Sequence, residues 1–194
     1  MIRIIRYILT IVILVSSILA SNNYPIILVH GFIGWGRDEM NGYYYWGGKM
    51  DLESYLRSMG YDVYTVSVGP ISSNWDRAVE MFYQIKGGSV DYGKTHSEKF
   101  KINQFPDKNF KGLYPEWDED HPVHIIAHSQ GGQTARVLEH LLYSSFNEEK
   151  SELLNMPHTG WIKSITTIST PHSGTTLSDT IIDFFPILQG LVKW

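Results

Sequence analysis

Four short runs of apolar and β-branched residues mark the chain: Ile26-Ile27-Leu28-Val29, Val63-Tyr64-Thr65-Val66-Ser67-Val68, Val123-His124-Ile125-Ile126-Ala127 and Ile165-Thr166-Thr167-Ile168. Continuous runs of this kind predict strands buried on both faces of a parallel sheet. Turn signals close them, among them His30-Gly31, Gly69-Pro70 and Thr170-Pro171. Between the runs lie apolar positions at helical spacing: Leu52, Tyr55, Leu56 and Met59 before Gly60; Ala78, Met81, Phe82 and Ile85 before Gly87-Gly88; and Ala135, Leu138, Leu141 and Leu142. Strands alternating with helices predict an α/β fold, a parallel sheet covered by helices on both faces, with ligands at the carboxyl ends of the strands. Residues 87–120 show weak periodicity and many polar and aromatic side chains. So long a connection is expected to be functional or metal-stabilised.

Composition narrows the chemistry. The 194 residues are 43% hydrophobic and include no cysteine, which excludes disulfides, iron–sulfur clusters and thiol catalysis. Sixteen Lys and Arg against twenty Asp and Glu leave a net charge of −4, so no nucleic-acid partner is expected. Arg3 and Arg6 precede an apolar run from Tyr7 to Val15 and the small residues Ser16, Ser17, Ala20 and Ser21. Residues 1–20 read as a secretory signal peptide, which predicts a secreted protein. An N-terminal membrane anchor is the alternative.

The third run leads through Ala127-His128-Ser129-Gln130-Gly131-Gly132 into a helical pattern. This is the strand, sharp turn and helix of a G-x-S-x-G nucleophile elbow, with Ala127 in place of the first glycine. Small flanking residues suit a strained turn that displays the Ser129 hydroxyl at the top of the sheet. At the end of the first strand, His30-Gly31-Phe32 has the form of an oxyanion loop, in which the N–H groups of Phe32 and Gln130 are the expected donors and His30 orients the loop. A glycine turn with no function is the bland alternative.

Tyr24-Pro25-Ile26-Ile27-Leu28-Val29-His30-Gly31-Phe32, Gly34-Trp35-Gly36-Arg37, Tyr45-Trp46-Gly47-Gly48, Ser72-Ser73-Asn74-Trp75-Asp76-Arg77-Ala78, Gly88-Ser89-Val90-Asp91-Tyr92-Gly93, Ala127 to Arg136 and Thr170-Pro171-His172 resemble, in order, the secreted staphylococcal and thermoalkalophilic Bacillus and Geobacillus lipases. The resemblance covers residues 24–194. It implies an α/β-hydrolase fold and carboxylester hydrolysis of the triacylglycerol lipase type, with Ser129 as nucleophile, an acyl-enzyme intermediate, and Phe32 and Gln130 as oxyanion donors. The implied partners are a lipid or ester substrate and the lipid–water interface; no protein partner is implied.

The resembled family also holds a structural zinc through two Asp and two His. Asp76 and His96 fall on two of those positions, while Ile102 stands where the next histidine would be. Two donors are too few for a closed zinc site, so no stoichiometric zinc is expected, and no other cofactor is certain. The family's calcium ligands, like its triad Asp and His, fall beyond Trp194. An α/β-hydrolase triad runs Ser, acid, His, yet no histidine follows Asp179 or Asp183, and neither His140 nor His172 is placed as the base. The sequence thus reads as the N-terminal part of a lipase, its sheet truncated before the last strands and its apolar 181–188 segment starting a lid or forming a core helix. The alternative is a catalytically incomplete pseudoenzyme acting as a lipid-surface binding module.

Overall fold

The computed structural model describes residues 23–146 and 148–176. Ten elements follow one another: β1 (Ile26–Val29), α1 (Leu52–Ser58), β2 (Val63–Val66), α2 (Asn74–Lys86), β3 (Gly88–Ser89), α3 (Lys94–Phe100), β4 (Asn109–Phe110), β5 (Val123–His128), α4 (Gln130–Tyr143) and β6 (Ile162–Ile168). The expected leader at 1–20, Asp179, Asp183 and the apolar 181–188 segment lie outside the described residues.

The four apolar runs pair as one parallel sheet in the order β2-β1-β5-β6. Two boundaries differ from the sequence pattern. β2 stops at Val66 because the next two N–H groups leave the ladder for side chains, Ser67 N–H donating to Gln84 Oε1 and Val68 N–H to His30 Nε2. β6 starts at Ile162, opposite Val123, and a register irregularity at Val123/His124 absorbs the extra length.

One sheet face carries Ile27, Val29, Val66, Val123, Ile125 and Ala127 and is closed by Ala78, Phe82 and Ile85 of α2 and Ala135, Leu138 and Leu142 of α4. Burying each large aliphatic side chain there stabilises the fold by about 1.5–3 kcal/mol. The opposite face buries Leu28 and Val63 but leaves His124 and Ile126 half-buried. Coverage, expected on both faces, is therefore complete on one and partial on the other among the described residues. Both long helices start where the pattern predicts a cap or a turn: Ser73 caps α2 by accepting from Asp76 N–H, whereas Ser129 precedes α4 without capping it.

Residues 87–120, whose periodicity is weak, fold as the antiparallel pair β3–β4 with α3 between them. From β1 the chain turns toward β2, and from β5 toward β6 on the other side. The crevice at the carboxyl ends of β1 and β5 is therefore the topological switch point of the sheet, where ligands of open α/β folds bind.

Candidate active site

Ser129 occupies that crevice in a left-handed conformation, φ 54° and ψ −127°. A non-glycine residue there stores about 1–3 kcal/mol of strain and persists only where its surroundings over-determine it. Here they do: Ser129 N–H donates to Ile168 O at 2.9 Å, and Thr170 Oγ1 donates to Ser129 O at 2.8 Å. The turn requires its small neighbours. A Cβ on Gly131 would lie 2.6 Å from Val29 O and 2.7 Å from His30 O, so α4 packs its first turn directly on the end of β1. The Ser129 hydroxyl makes no cap and no other hydrogen bond among the described residues, which leaves it available for chemistry.

The loop after β1 lies against this serine: a Cβ on Gly31 would stand 2.7 Å from Ser129 Cβ. Two consecutive peptides of the loop are held from several sides. Arg77 Nη2 donates to His30 O at 2.6 Å, and Gly31 N–H donates to Tyr45 Oη at 3.0 Å. Gly31 O accepts from His30 Nδ1 at 2.9 Å and from Gly34 N–H at 3.2 Å. Because His30 Nε2 accepts from Val68 N–H, its ring is the neutral Nδ1–H tautomer. Burial lowers the pKa of His30, with the nearby Arg77 charge acting in the same direction. Ile33, with φ 54° and an N–H bonded to Pro70 O, adds a second strained residue beside Phe32. The N–H groups of Phe32 and Gln130, the expected oxyanion donors, have no acceptor among the described residues. The Gln130 side chain leans toward Ser72 O at 3.4 Å.

All eight histidines of the chain are described, and none hydrogen-bonds Ser129. His128 faces Tyr45, His172 bonds Thr167 Oγ1, His158 bonds Glu152 O and His140 is exposed in the last turn of α4. A cleft of about 360 Å³ lined by Trp35, Tyr43, Tyr44, Tyr45, Trp46, Gly48 and His128 adjoins the serine through its two shared members, Tyr45 and His128. Another of similar size at the β2 edge, lined by charged groups such as Arg37, Glu39 and Lys111, includes no residue of the elbow.

Asp76 and His96 do come together, His96 Nε2 lying 2.9 Å from Asp76 Oδ1, with the imidazole stacked on Trp75 at 4.9 Å and 13°. Ile102 brings no donor, and the described residues hold no cluster of three groups able to bind a metal. The pair therefore does not fit a closed zinc site. Arg77 and Tyr45 are functional neighbours that pattern reading does not single out. Both stand in blocks that carry the family resemblance, and Arg77 is also a lone cation among the apolar positions Ala78, Met81 and Phe82 of one helix, but neither pattern gives the residue a role.

Comparison with known proteins agrees with this geometry. Residues 22–185 match the family model described as lipase-like, C-terminal domain. The lipase of Staphylococcus hyicus is 44% identical over 172 residues, covering 82% of this chain and 27% of that protein. Lipase 2 of Staphylococcus aureus is 41% identical over 171 residues, covering 81% of this chain and 25% of that protein. Among solved structures, EstA from Clostridium botulinum is 48% identical with a TM-score of 0.77, over 82% of this chain and 38% of that one. Lipase 1 from Pelosinus fermentans is 47% identical with a TM-score of 0.80, over 89% of this chain and 48% of that one. The chain thus spans about a quarter of the length of the curated relatives it matches and less than half of the solved ones. With a strained serine at the switch point of its sheet and these relatives in register along nearly all of its described length, the chain belongs to the lipase-like C-terminal domain family.

Proposed function

We propose that this chain is the nucleophile-bearing part of a secreted carboxylester hydrolase of the α/β-hydrolase fold and triacylglycerol lipase type, acting on lipid esters at a lipid–water interface. The observation that carries this reading is Ser129, held at positive φ with a free hydroxyl directly against the Gly31 loop. In the proposed reaction Ser129 Oγ attacks the ester carbonyl carbon while a general base takes its proton. The carbonyl oxygen becomes an oxyanion that accepts the N–H groups of Phe32 and Gln130. Breakage of the carbon–oxygen bond releases the alcohol with that proton and leaves an acyl group on Ser129. Water then attacks the acyl carbon, and its other proton returns to Ser129 Oγ as the carboxylic acid leaves.

None of the eight histidines hydrogen-bonds Ser129, and the base is proposed to come from the length of the relatives that this chain does not span. Secretion rests on the basic and apolar leader at 1–20; among the described residues no helix is long and apolar enough to cross a membrane. The Asp76–His96 pair is proposed to act without zinc. The test is hydrolysis of p-nitrophenyl butyrate and tributyrin by the full-length gene product, and by its Ser129→Ala variant. Wild-type turnover and a loss of about 10⁴-fold or more in the variant are expected, since members of such a unit are grossly non-additive. Wild-type turnover that survives the substitution would remove Ser129 from the chemistry.

A second reading has its own observation. Phe32, Ile33 and Ile71 are exposed, and the Ile33–Pro70 bond brings their loops together. This rim suits a non-catalytic lipid-surface module, which requires that the 194-residue chain sediment with liposomes while hydrolysing nothing.

A further inference from the structure

We propose that Tyr45 and Arg77 are positioning residues that hold the Phe32 N–H in place as an oxyanion donor by gripping the two ends of the His30–Gly31 peptide. This rests on the hydrolase reading above. The two contacts fall on one peptide unit: Arg77 Nη2 donates to its carbonyl, His30 O, and Tyr45 Oη accepts from its N–H, that of Gly31. The next peptide, between Gly31 and Phe32, carries the expected donor. Only the φ and ψ of Gly31 separate the two units, and glycine has no Cβ to restrict them. Within the loop, His30 Nδ1 and Gly34 N–H bond Gly31 O of that second peptide, and the contacts from outside the loop fix the peptide before it.

Each grip also reaches the elbow. Tyr45 Oη, which accepts from Gly31 N–H, also lies within hydrogen-bond distance of His128 Nδ1, 2.5 Å away, and His128 immediately precedes Ser129. Arg77 Nε donates to Thr134 Oγ1 at 2.9 Å, and that hydroxyl lies 3.2 Å from Gln130 O in the first turn of α4. Arg77 Nη1 donates to Gly69 O at 2.7 Å in the loop after β2. The guanidinium is wholly buried, and its acceptors are neutral oxygens with no ion pair among the described residues. A buried cation is costly unless hydrogen bonds offset its lost hydration, and Arg77 makes three. Here its three donors register the β1 loop, the β2 loop and α4 against one another, and so set the Phe32 and Gln130 donors relative to a single oxyanion position.

The test uses the full-length protein and Tyr45→Phe, which keeps the ring between Trp35 and Trp46, at 5.3 and 5.8 Å, and removes only the hydroxyl. Hydrogen exchange at the Gly31 amide, melting temperature, and kcat and KM on p-nitrophenyl butyrate are measured together. The expected result is exchange at least about ten-fold faster, kcat lower by about 10- to 100-fold, KM within about two-fold and an unchanged melt, a loss somewhat below that of deleting an oxyanion donor outright. Arg77→Lys, which keeps the charge but not the fork, is expected to lower kcat in the same way. If Arg77→Lys does not fold, Tyr45→Phe alone decides. An active wild type whose Tyr45→Phe variant retains kcat within about two-fold overturns the proposal, as does unchanged Gly31 exchange. A wild type without esterase activity sinks the hydrolase reading instead, and the positioning role with it.

Discussion

A serine placed before a helix ordinarily spends its hydroxyl on the first-turn N–H groups, as Ser73 does before α2. Ser129 does not, because its positive φ swings the side chain off the helix axis. That difference was legible in the sequence only through the company each serine keeps: Asn74 and Trp75 follow one, while Gln130, Gly131 and Gly132 follow the other. Ser129, Phe32 and Gln130 could be read because strained turns demand small neighbours, which leave a mark on sequence. Tyr45 could not, since its partners Gly31 and His128 lie 14 and 83 positions away. His30 gives this scale its own prediction. Burial holds its folded-state pKa below the 6.5 of an unperturbed ring, so between the two values the unfolded chain binds the extra proton. Stability conferred by neutral His30 is present above pH 6.5 and is lost as pH falls below it, at up to about 1.4 kcal/mol per pH unit. Urea midpoints measured from pH 7.5 to 5 are expected to fall with acidification, and the fall to be shallower in His30→Gln; an equal slope in both would remove His30 as its source.

Elements are legible when their pattern carries their cause. The four strands pair as their apolar runs predict, since residues such as Ile27, Val29 and Ile125 are buried by the ladder they form. The 87–120 segment was not legible, because its order comes from side-chain clamps rather than from a periodic apolar face. Glu149, far along the chain, accepts from Lys94 N–H at 2.7 Å and Thr95 N–H at 2.9 Å, closing the first turn of α3. The burial that raises the Glu149 pKa is outweighed by these two bonds, and the carboxylate sits below its ordinary value. At the other side His96 joins Asp76 and Trp75 of α2, and Glu80 accepts from Tyr92 Oη and Lys108 Nζ. These contacts tie α3 to α2 and to the segment at Glu149. Elemental analysis is therefore expected to find less than one zinc per chain and EDTA to leave the melt unmoved, whereas Glu149→Gln should cost about 1 kcal/mol, as loss of a helix cap does. A stoichiometric metal, or a melt that collapses in chelator, would show that the clamp is not sufficient.

On the scale of the whole molecule, the sheet described has two edge strands, β2 and β6. β1 and β5 are interior strands, while β6 pairs with β5 alone among the described residues. Its burial falls off accordingly: Lys163, Ser164, Thr166 and Ile168 are exposed, and Ile168 still presents 43% of its surface. A seven-residue strand with one edge unpaired among the described residues is a template for pairing with another chain. A net charge of −4 does little to oppose this, because the one charge on the strand is Lys163. Ile168 O holds Ser129 from the opposite edge of β6, the one paired with β5. The 194-residue chain purified by itself is expected to elute as a broad, concentration-dependent species larger than a monomer. Thr166→Lys, which places a second charge on the exposed part of β6, is expected to raise the monomer share without altering the far-ultraviolet spectrum. A sharp monomeric peak with a cooperative melt in the unsubstituted chain would mean that the edge is already protected and that β6 is not the site of association.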